Sequence, residues 1–269
     1  MARIAVAATA PFGADVLERL AGRHEIAVLL TRPDAPAGRG RRVAASPAKL
    51  VAESLGIPVL QPERPAAGLE LGAPLVVVCA YGLLVPEPLL AERAWLNVHP
   101  SLLPRWRGAA PVERAIMAGD DETGVTIHET VAELDAGPVV AQEAFPIGPE
   151  ADAGAVYERS AEVAARLLDG VLADPEPRFA PQTGEPTYAE KIRSDDRQLD
   201  LDRPVEELVR IVRALSPHIG ARIGQDDGGY LGVRAARVGP DGALELVEVQ
   251  PPGGRPMAYA DYLRGHAAR

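Results

Sequence analysis

Residues 97–111 read Asn-Val-His-Pro-Ser-Leu-Leu-Pro-Arg-Trp-Arg-Gly-Ala-Ala-Pro, and the rest of the chain can be arranged around this segment. Residues 94–98, which overlap the start of this segment, form a run that favours a strand. Asn97 and His99 are two positions apart, so a strand places both side chains on the same face. The prolines of the segment stiffen the loop that follows. The pattern therefore predicts a strand that ends on an amide and an imidazole.

Alternating strand-like and helix-like segments around this point predict an α/β fold. Residues 3–8 and 25–31 are runs of strand length, and residues 14–21 between them carry apolar side chains at helical spacing. Such alternation favours a Rossmann-like, mostly parallel sheet with crossover helices. The first turn, residues 8–12, has no glycine-rich dinucleotide fingerprint, so we expect no nicotinamide or flavin.

The composition limits the classes of protein to consider. The chain has 269 residues, 47% of them hydrophobic, which is enough for one large domain or two modest ones. Its single cysteine, Cys79, excludes an internal disulfide framework. No apolar run reaches membrane-spanning length, so we expect a cytoplasmic protein without a membrane partner. A net charge of −10 argues against general affinity for nucleic acid, and a nucleic-acid partner would need a local basic patch.

A carboxylate follows a second predicted strand further along the chain. Asp135 comes after residues 124–129, and an amide, an imidazole and a carboxylate can together handle one proton and one developing oxyanion. Alone, Asn-x-His at a strand end is also typical of a structural pair. The other histidines are His24, His128, His218 and His266. None of them has a metal-ligand spacing to a cysteine or glutamate, so we predict no metal site.

Four ordered motifs resemble those of the folate-dependent formyltransferases. They are Asn97-Val98-His99, Ser101-Leu102-Leu103-Pro104-Arg105-Trp106-Arg107-Gly108-Ala109-Ala110-Pro111, Thr123-Gly124-Val125-Thr126-Ile127 and Leu134-Asp135-Ala136-Gly137. The resemblance implies the formyltransferase fold and transfer of the formyl group of 10-formyltetrahydrofolate to the amine of initiator methionyl-tRNA. We expect Asn97, His99 and Asp135 to be catalytic. The amide and the imidazolium would stabilise the oxyanion, Asp135 would keep His99 charged, and Asp135 or an ordered water would take the amine proton.

The same resemblance assigns ligand contacts. For folate they are Ser101, Leu102, Leu103 and Pro104, together with Tyr81, Gly82 and Leu83, although ordinary packing is an equal alternative for the last three. For tRNA they are Arg39, Arg41 and Arg42. These arginines belong to residues 31–49, a proline- and glycine-rich loop with five basic side chains and one acidic side chain. Arg105 and Arg107 around Trp106 could bind nucleic acid or the folate tail, or could pack on the indole as a structural cation–π pair.

The second half of the chain predicts a smaller β domain. Residues 174–187 contain four prolines, a linker composition, so we divide the chain into a catalytic domain (1–186) and a C-terminal domain (187–269). Residues 188–192, Tyr-Ala-Glu-Lys-Ile, resemble the signature that precedes the family's second domain. Short runs at 230–238 and 243–249 predict a reduced, OB-like β-barrel. Residues 190–269 carry 12 Lys/Arg and 13 Asp/Glu, so we expect this domain to grip tRNA weakly.

Several alternatives stay open at this point. The formyl acceptor could be glycinamide ribonucleotide, an amino sugar nucleotide or water, and a non-catalytic tRNA- or folate-binding module is the alternative of a different class. The arginine loop and the second domain argue against the small amines, and a binding module has no need of all three catalytic residues. We expect a monomer. His128 stands where the family more often has Met, and it could approach the methionine or pterin pocket.

Overall fold

The structure is a computed structural model that describes residues 1–37, 42–225 and 228–266. Its strands are β1 (Arg3–Ala8), β2 (Glu25–Leu30), β3 (Ala35–Ala37), β4 (Arg42–Ala44), β5 (Val59–Leu60), β6 (Leu75–Cys79), β7 (Ala94–His99), β8 (Arg107–Gly108), β9 (Glu122–Glu129), β10 (Val139–Pro146), β11 (Tyr188–Ala189), β12 (Ala221–Gly224), β13 (Tyr230–Val238), β14 (Leu244–Gln250) and β15 (Met257–Ala258). Its helices are α1 (Pro11–Ala21), α2 (Pro47–Ser54), α3 (Glu87–Leu90), α4 (Pro111–Ala118), α5 (Ala153–Ala173), α6 (Val205–Leu215) and α7 (Tyr259–His266).

Seven strands form one sheet in the order β10-β9-β7-β6-β1-β2-β5. Strand β1 pairs in parallel with both β2 and β6, and β6 pairs in parallel with β7, whereas β9 pairs antiparallel with β7. The predicted Rossmann-like, mostly parallel sheet is therefore confirmed. From β1 the chain builds outward through β2 to β5 on one side, and later through β6 and β7 on the other. Ligands of such open sheets bind beyond the carboxyl ends of the strands near this change of direction.

The chain divides into two compact units. Unit 1 consists of Met1–Arg107, Gly124–Ala144 and Glu158–Thr187. Its central strands are apolar on both faces, because parallel strands are covered by helices on either side. Leu30, Val76, Leu89 and Trp95 belong to its buried core. This packed scaffold fixes the positions at which β6 and β7 end.

Unit 2 consists of Gly108–Thr123, Phe145–Tyr157 and Tyr188–Arg269. It contains a four-stranded antiparallel sheet in the order β12-β13-β14-β15, and the apolar side of α6 packs on it through Leu208, Val212 and Leu215. The predicted small C-terminal β region is thus confirmed. Strands β12 and β15 were not predicted from the sequence, because they span only four and two residues and offer little pattern.

Two segments differ from the sequence-based expectations. The predicted loop before α2 contains the antiparallel hairpin β3–β4, whose base is held by Asp34 through hydrogen bonds from Lys49 and Gln61. The predicted linker is not a free connection, because Ala180 exchanges two backbone hydrogen bonds with Val139, of 2.8 and 2.9 Å. The boundary between residues 186 and 187 stays a prediction. In the described ranges, no helix is both long and apolar enough to span a bilayer.

Candidate active site

The three predicted catalytic side chains lie together in unit 1. Asn97 Nδ2 is 3.2 Å from Asp135 Oδ1, and His99 Nδ1 is 3.6 Å from Asp135 Oδ2. The side chains of His99 and Asp135 are only 5% and 9% exposed, whereas Asn97 as a residue is half-buried. Water is thus largely excluded from the ionisable groups, which strengthens electrostatic interactions between them.

The strand register explains why these groups meet. In the antiparallel pair of β7 and β9, Asn97 lies directly opposite His128, and His99 lies opposite Thr126. Directly opposed residues have side chains on the same face of the sheet. Asn97 and His99 therefore share a face with each other, as predicted, and also with His128 and Thr126.

His99 has one ring nitrogen committed to the backbone. Its Nε2 is 2.8 Å from the carbonyl oxygen of Trp106, and this oxygen can only accept, so Nε2 carries a proton. Nδ1 is the nitrogen that faces Asp135. A bare lone pair at Nδ1 would point toward the carboxylate of Asp135. The geometry therefore favours an N–H at Nδ1, which can face either Asp135 or a bound substrate.

Asp135 occupies a left-handed backbone conformation, with φ = 51°. Gln182 fixes its loop by donating from Nε2 to the carbonyl oxygens of Asp135 (2.7 Å) and Gly137 (2.9 Å). Arg107 donates in turn to Gln182 Oε1 at 2.8 Å. A Cβ on Gly137 would lie 1.8 Å from the carbonyl oxygen of Glu129, so only glycine lets the loop return so close to β9. Sequence reasoning missed Gln182, which stood in an apparent linker and had no distinguishing pattern.

The predicted folate loop is rigidly built. Ser101 Oγ donates to the carbonyl oxygen of Arg105 at 2.7 Å, and the Leu103 amide donates to Thr126 Oγ1 at 3.1 Å. Gln142 Nε2 donates to both the Leu103 carbonyl (3.1 Å) and Thr126 Oγ1 (2.8 Å). Ser101 and Leu103 are buried, which leaves the half-buried Leu102 and Pro104 as the members of the loop that a ligand can reach.

In the segment after β6, Tyr81 is buried in the core, whereas Gly82 and Leu83 are accessible at the surface. Tyr81 is 2% exposed and belongs to the same core cluster as Leu89 and Trp95, and burial raises the pKa of its phenol to about 12. Its ring thus follows the packing alternative. Gly82 is exposed with φ = 74°, and Leu83 is half-buried.

The predicted arginines fall partly outside the described residues. Arg39 and Arg41 lie there, whereas Arg42 is an exposed residue of β4. Of the arginines around Trp106, Arg105 packs over the indole with its guanidinium carbon 4.4 Å from the ring centroid, which is the structural cation–π alternative. Arg107 is buried and instead contacts Gln182 and Glu133.

Sequence comparison relates the chain to known proteins. Residues 2–172 match the family described as formyl transferase. The methionyl-tRNA formyltransferase of Roseobacter denitrificans is 42% identical in an alignment that covers 98% of this chain and 96% of the relative. That of Paracoccus denitrificans is 40% identical over 98% of both chains.

Structural comparison gives the same fold. The methionyl-tRNA formyltransferase from Clostridium thermocellum superposes with a TM-score of 0.65 at 12% identity, covering 96% of this chain and all of that one. HypX from Aquifex aeolicus, solved in complex with tetrahydrofolic acid, superposes with a TM-score of 0.64 at 19% identity, covering 98% of this chain and 47% of that one.

Proposed function

The chain belongs to the formyl transferase family, and from this premise we propose that Asn97, His99 and Asp135 transfer the formyl group of 10-formyltetrahydrofolate to the amine of initiator methionyl-tRNA. Relatives that align with nearly the whole of this chain at about 40% identity are methionyl-tRNA formyltransferases, so the protein is a formyl-transferring enzyme of this kind. The observation that carries the assignment of residues is the meeting of an amide, an imidazole and a carboxylate at the end of β7.

The reaction needs donors for an oxyanion and an acceptor for one proton. As the amine nitrogen bonds to the formyl carbon, the carbonyl electron pair moves to oxygen. The negative charge on that oxygen is stabilised by the Nδ2–H of Asn97 and the Nδ1–H of His99. Asp135 accepts the proton that the amine loses. Collapse of the oxyanion breaks the bond between carbon and the folate nitrogen, and that nitrogen takes up the proton. His99 remains oriented throughout, because Nε2 stays bonded to the Trp106 carbonyl.

The folate would lie against apolar side chains next to these groups. Leu84 follows β6 and is 81% exposed, and Leu134 precedes Asp135 and is 65% exposed. Two large exposed leucines beside functional loops suit an aromatic pterin ring that covers them. With Leu102 and Pro104, they are the contacts that we propose for the folate. Gly82 and Leu83 would complete this side of the slot.

We place the catalytic domain at 1–186 and a tRNA-binding domain at 187–269. The near-neutral net charge of the latter conceals a local arginine cluster, formed by Arg197, Arg222 and Arg234. Arg222 stacks over the ring of Tyr230 at 4.3 Å. Burial and the positive charges of Arg222 and Arg234 lower the pKa of the Arg197 guanidinium. Within the described part of the chain, no carboxylate lies within ion-pairing distance of these three.

Arg197 and Arg234 donate hydrogen bonds to neutral oxygens of Ile219, Gly220, Pro217 and Gln250, which leave their positive charges uncompensated. Positive charge beside an aromatic ring favours RNA phosphates and bases. The arginine cluster therefore supports tRNA binding by this domain, together with Arg39, Arg41 and Arg42. One chain supplies all catalytic groups, so a monomer suffices, and the tRNA substrate would place the enzyme in the cytoplasm.

The test is formyl transfer from 10-formyltetrahydrofolate to initiator and elongator methionyl-tRNA. We expect formylation of the initiator alone, abolished by Asp135→Ala and weakened through KM by the Arg39/Arg41/Arg42→Ala variant. Hydrolysis of 10-formyltetrahydrofolate to formate, or formyl transfer only to small amines, would contradict the tRNA assignment.

The arginine cluster has its own test with a matched control. Arg222→Gln should weaken tRNA binding and reduce its salt dependence by about one counterion. Arg237→Gln on the neighbouring strand β13 removes the same charge from a residue already paired with Glu245, and it should change binding little. Equal effects of the two variants would mean that tRNA responds only to the net charge of the domain and not to the arginine cluster.

A further inference from the structure

His128 is a buried group next to the catalytic side chains that the mechanism above does not use. It lies in β9 directly opposite Asn97, and its side chain is 2% exposed. Nδ1 is 2.8 Å from the carbonyl oxygen of Glu129, and Nε2 is 3.1 Å from Asn97 Nδ2. Both ring nitrogens thus have a defined partner.

The two contacts fix the protonation state of the ring. A backbone carbonyl only accepts hydrogen bonds, so Nδ1 carries the proton. Nε2 faces an amide NH2, which only donates, so Nε2 must be the bare nitrogen of a neutral imidazole. Burial independently lowers the pKa of His128 to about 4, which agrees with the neutral ring. The charged or titratable groups that face it are Asp135, His99 and Arg107.

The neutral ring in turn fixes the amide of Asn97. One N–H of Nδ2 points to His128, and the other points to Asp135 Oδ1 at 3.2 Å. An amide that flipped would place its oxygen against the Nε2 lone pair and against the carboxylate, both of which are acceptors. Only one orientation of Asn97 is therefore compatible with its two neighbours.

We propose that His128 is a positioning residue, which through Nε2 holds the Asn97 amide with its second N–H at Asp135 Oδ1, beside the position of the reacting formyl group. This N–H, next to Asp135, is the one that the developing formyl oxygen can share. The inference rests on the proposed function, because it assigns His128 a role through Asn97.

A neutral His128 has a second consequence for Asp135. His128 Nε2 is 3.7 Å from Asp135 Oδ1, and His99 Nδ1 is 3.6 Å from the other oxygen, Oδ2. An imidazolium at residue 128 would compete with His99 for the Asp135 carboxylate. Because the ring stays neutral, Asp135 remains available to His99 and to the amine proton.

Three variants separate positioning from simple packing. His128→Leu fills similar space but has no acceptor for Asn97, and we expect kcat to fall about 10- to 100-fold, in the range known for misoriented catalytic donors, while KM for both substrates changes less than about threefold. His128→Gln offers Oε1 as an acceptor and should recover most of this loss. Thr123→Val on the same strand replaces a buried hydroxyl that has no partner in the structure, and it should leave kcat unchanged.

An independent readout comes from the nitrogen resonances of the wild-type enzyme labelled with 15N-histidine. The ring assigned by its loss in His128→Gln should show the Nδ1–H tautomer and stay neutral from pH 8 to pH 5. An Nε2–H tautomer, titration near pH 6.5, or a Leu variant with wild-type kcat would overturn the proposal. If the tautomer is found but the wild type transfers no formyl group, the proposed function fails while the geometry of His128 stands.

Discussion

Replacing His128 by glutamine should make the enzyme less sensitive to mild acid. The pKa of His128 is about 4 in the folded protein, mainly because burial disfavours the charged ring, against 6.5 for an ordinary histidine. Between these two pH values the unfolded chain binds more protons than the folded one. The free energy of unfolding therefore falls as the pH drops from about 7 toward 4, and the contribution of His128 to this fall disappears when residue 128 cannot titrate.

The size of the effect follows from the two pKa values. One pKa unit corresponds to about 1.4 kcal/mol, so the full difference of about 2.5 units is worth about 3 kcal/mol at most. Binding curves for the two states give a loss of about 2 kcal/mol between pH 7 and pH 5. The wild type should lose this amount more than His128→Gln over the same range, whatever the other groups contribute to both proteins.

Urea unfolding followed by tryptophan fluorescence measures this difference. Both tryptophans of the chain, Trp95 and Trp106, belong to unit 1, so the signal reports on the unit that contains His128. We would compare the wild type and His128→Gln at pH 7, 6 and 5, with Thr123→Val as the control that keeps the wild-type slope. A difference between wild type and His128→Gln below about 0.5 kcal/mol would mean that the ring is not neutral and buried as the hydrogen bonds indicate.

Other substitutions test the remaining parts of the site. Asp135→Asn should lower kcat about 100- to 1000-fold in steady-state assays with little change in substrate binding, because it removes the proton acceptor but keeps the shape; a fall confined to KM would contradict this role. Gln182→Ala should lower kcat about tenfold in the same assay, since two carbonyls of the Asp135 loop lose their donor. Unchanged kcat would mean that the loop keeps its conformation without Gln182. Gly124→Ala should destabilise the fold by about 1–3 kcal/mol in urea unfolding, because its Cβ would lie 2.4 Å from Leu102 Cδ2. Gly170→Ala in α5 meets nothing within 4 Å and should instead stabilise by about 1 kcal/mol, and the same sign for both would refute the packing argument.

The sequence predicted the elements whose pattern is long and regular. The apolar β6, the amphipathic α5 and the spacing of Asn97 and His99 each follow from burial on a periodic backbone. It did not predict β12 or β15, which are too short to have a period. The hairpin β3–β4 was also missed, because Lys49 and Gln61, which hold its base, come from later parts of the chain.

The three catalytic candidates could be named from the sequence, but their orientation could not. Asn97 and Asp135 are far apart in the chain, and their contact depends on the register of β7 with β9. A shift by one residue would turn His128 away from Asn97 to the other face. The arginine cluster was hidden for a related reason, since a net charge sums Arg197, Arg222 and Arg234 with acidic residues elsewhere.

The segment that resembled a linker orients both ionisable groups of the proposed catalytic site. Trp106 adopts a left-handed conformation, with φ = 66°, and its amide donates to Thr187 Oγ1 at 2.9 Å. The same Trp106 presents its carbonyl to His99, so Thr187 supports a strained turn that sets the imidazole. Five residues earlier, Gln182 holds the backbone of Asp135. Because Gln182 and Thr187 hold the backbones that set the carboxylate and the imidazole, we expect the catalytic domain to reach Thr187, one residue past the proposed boundary.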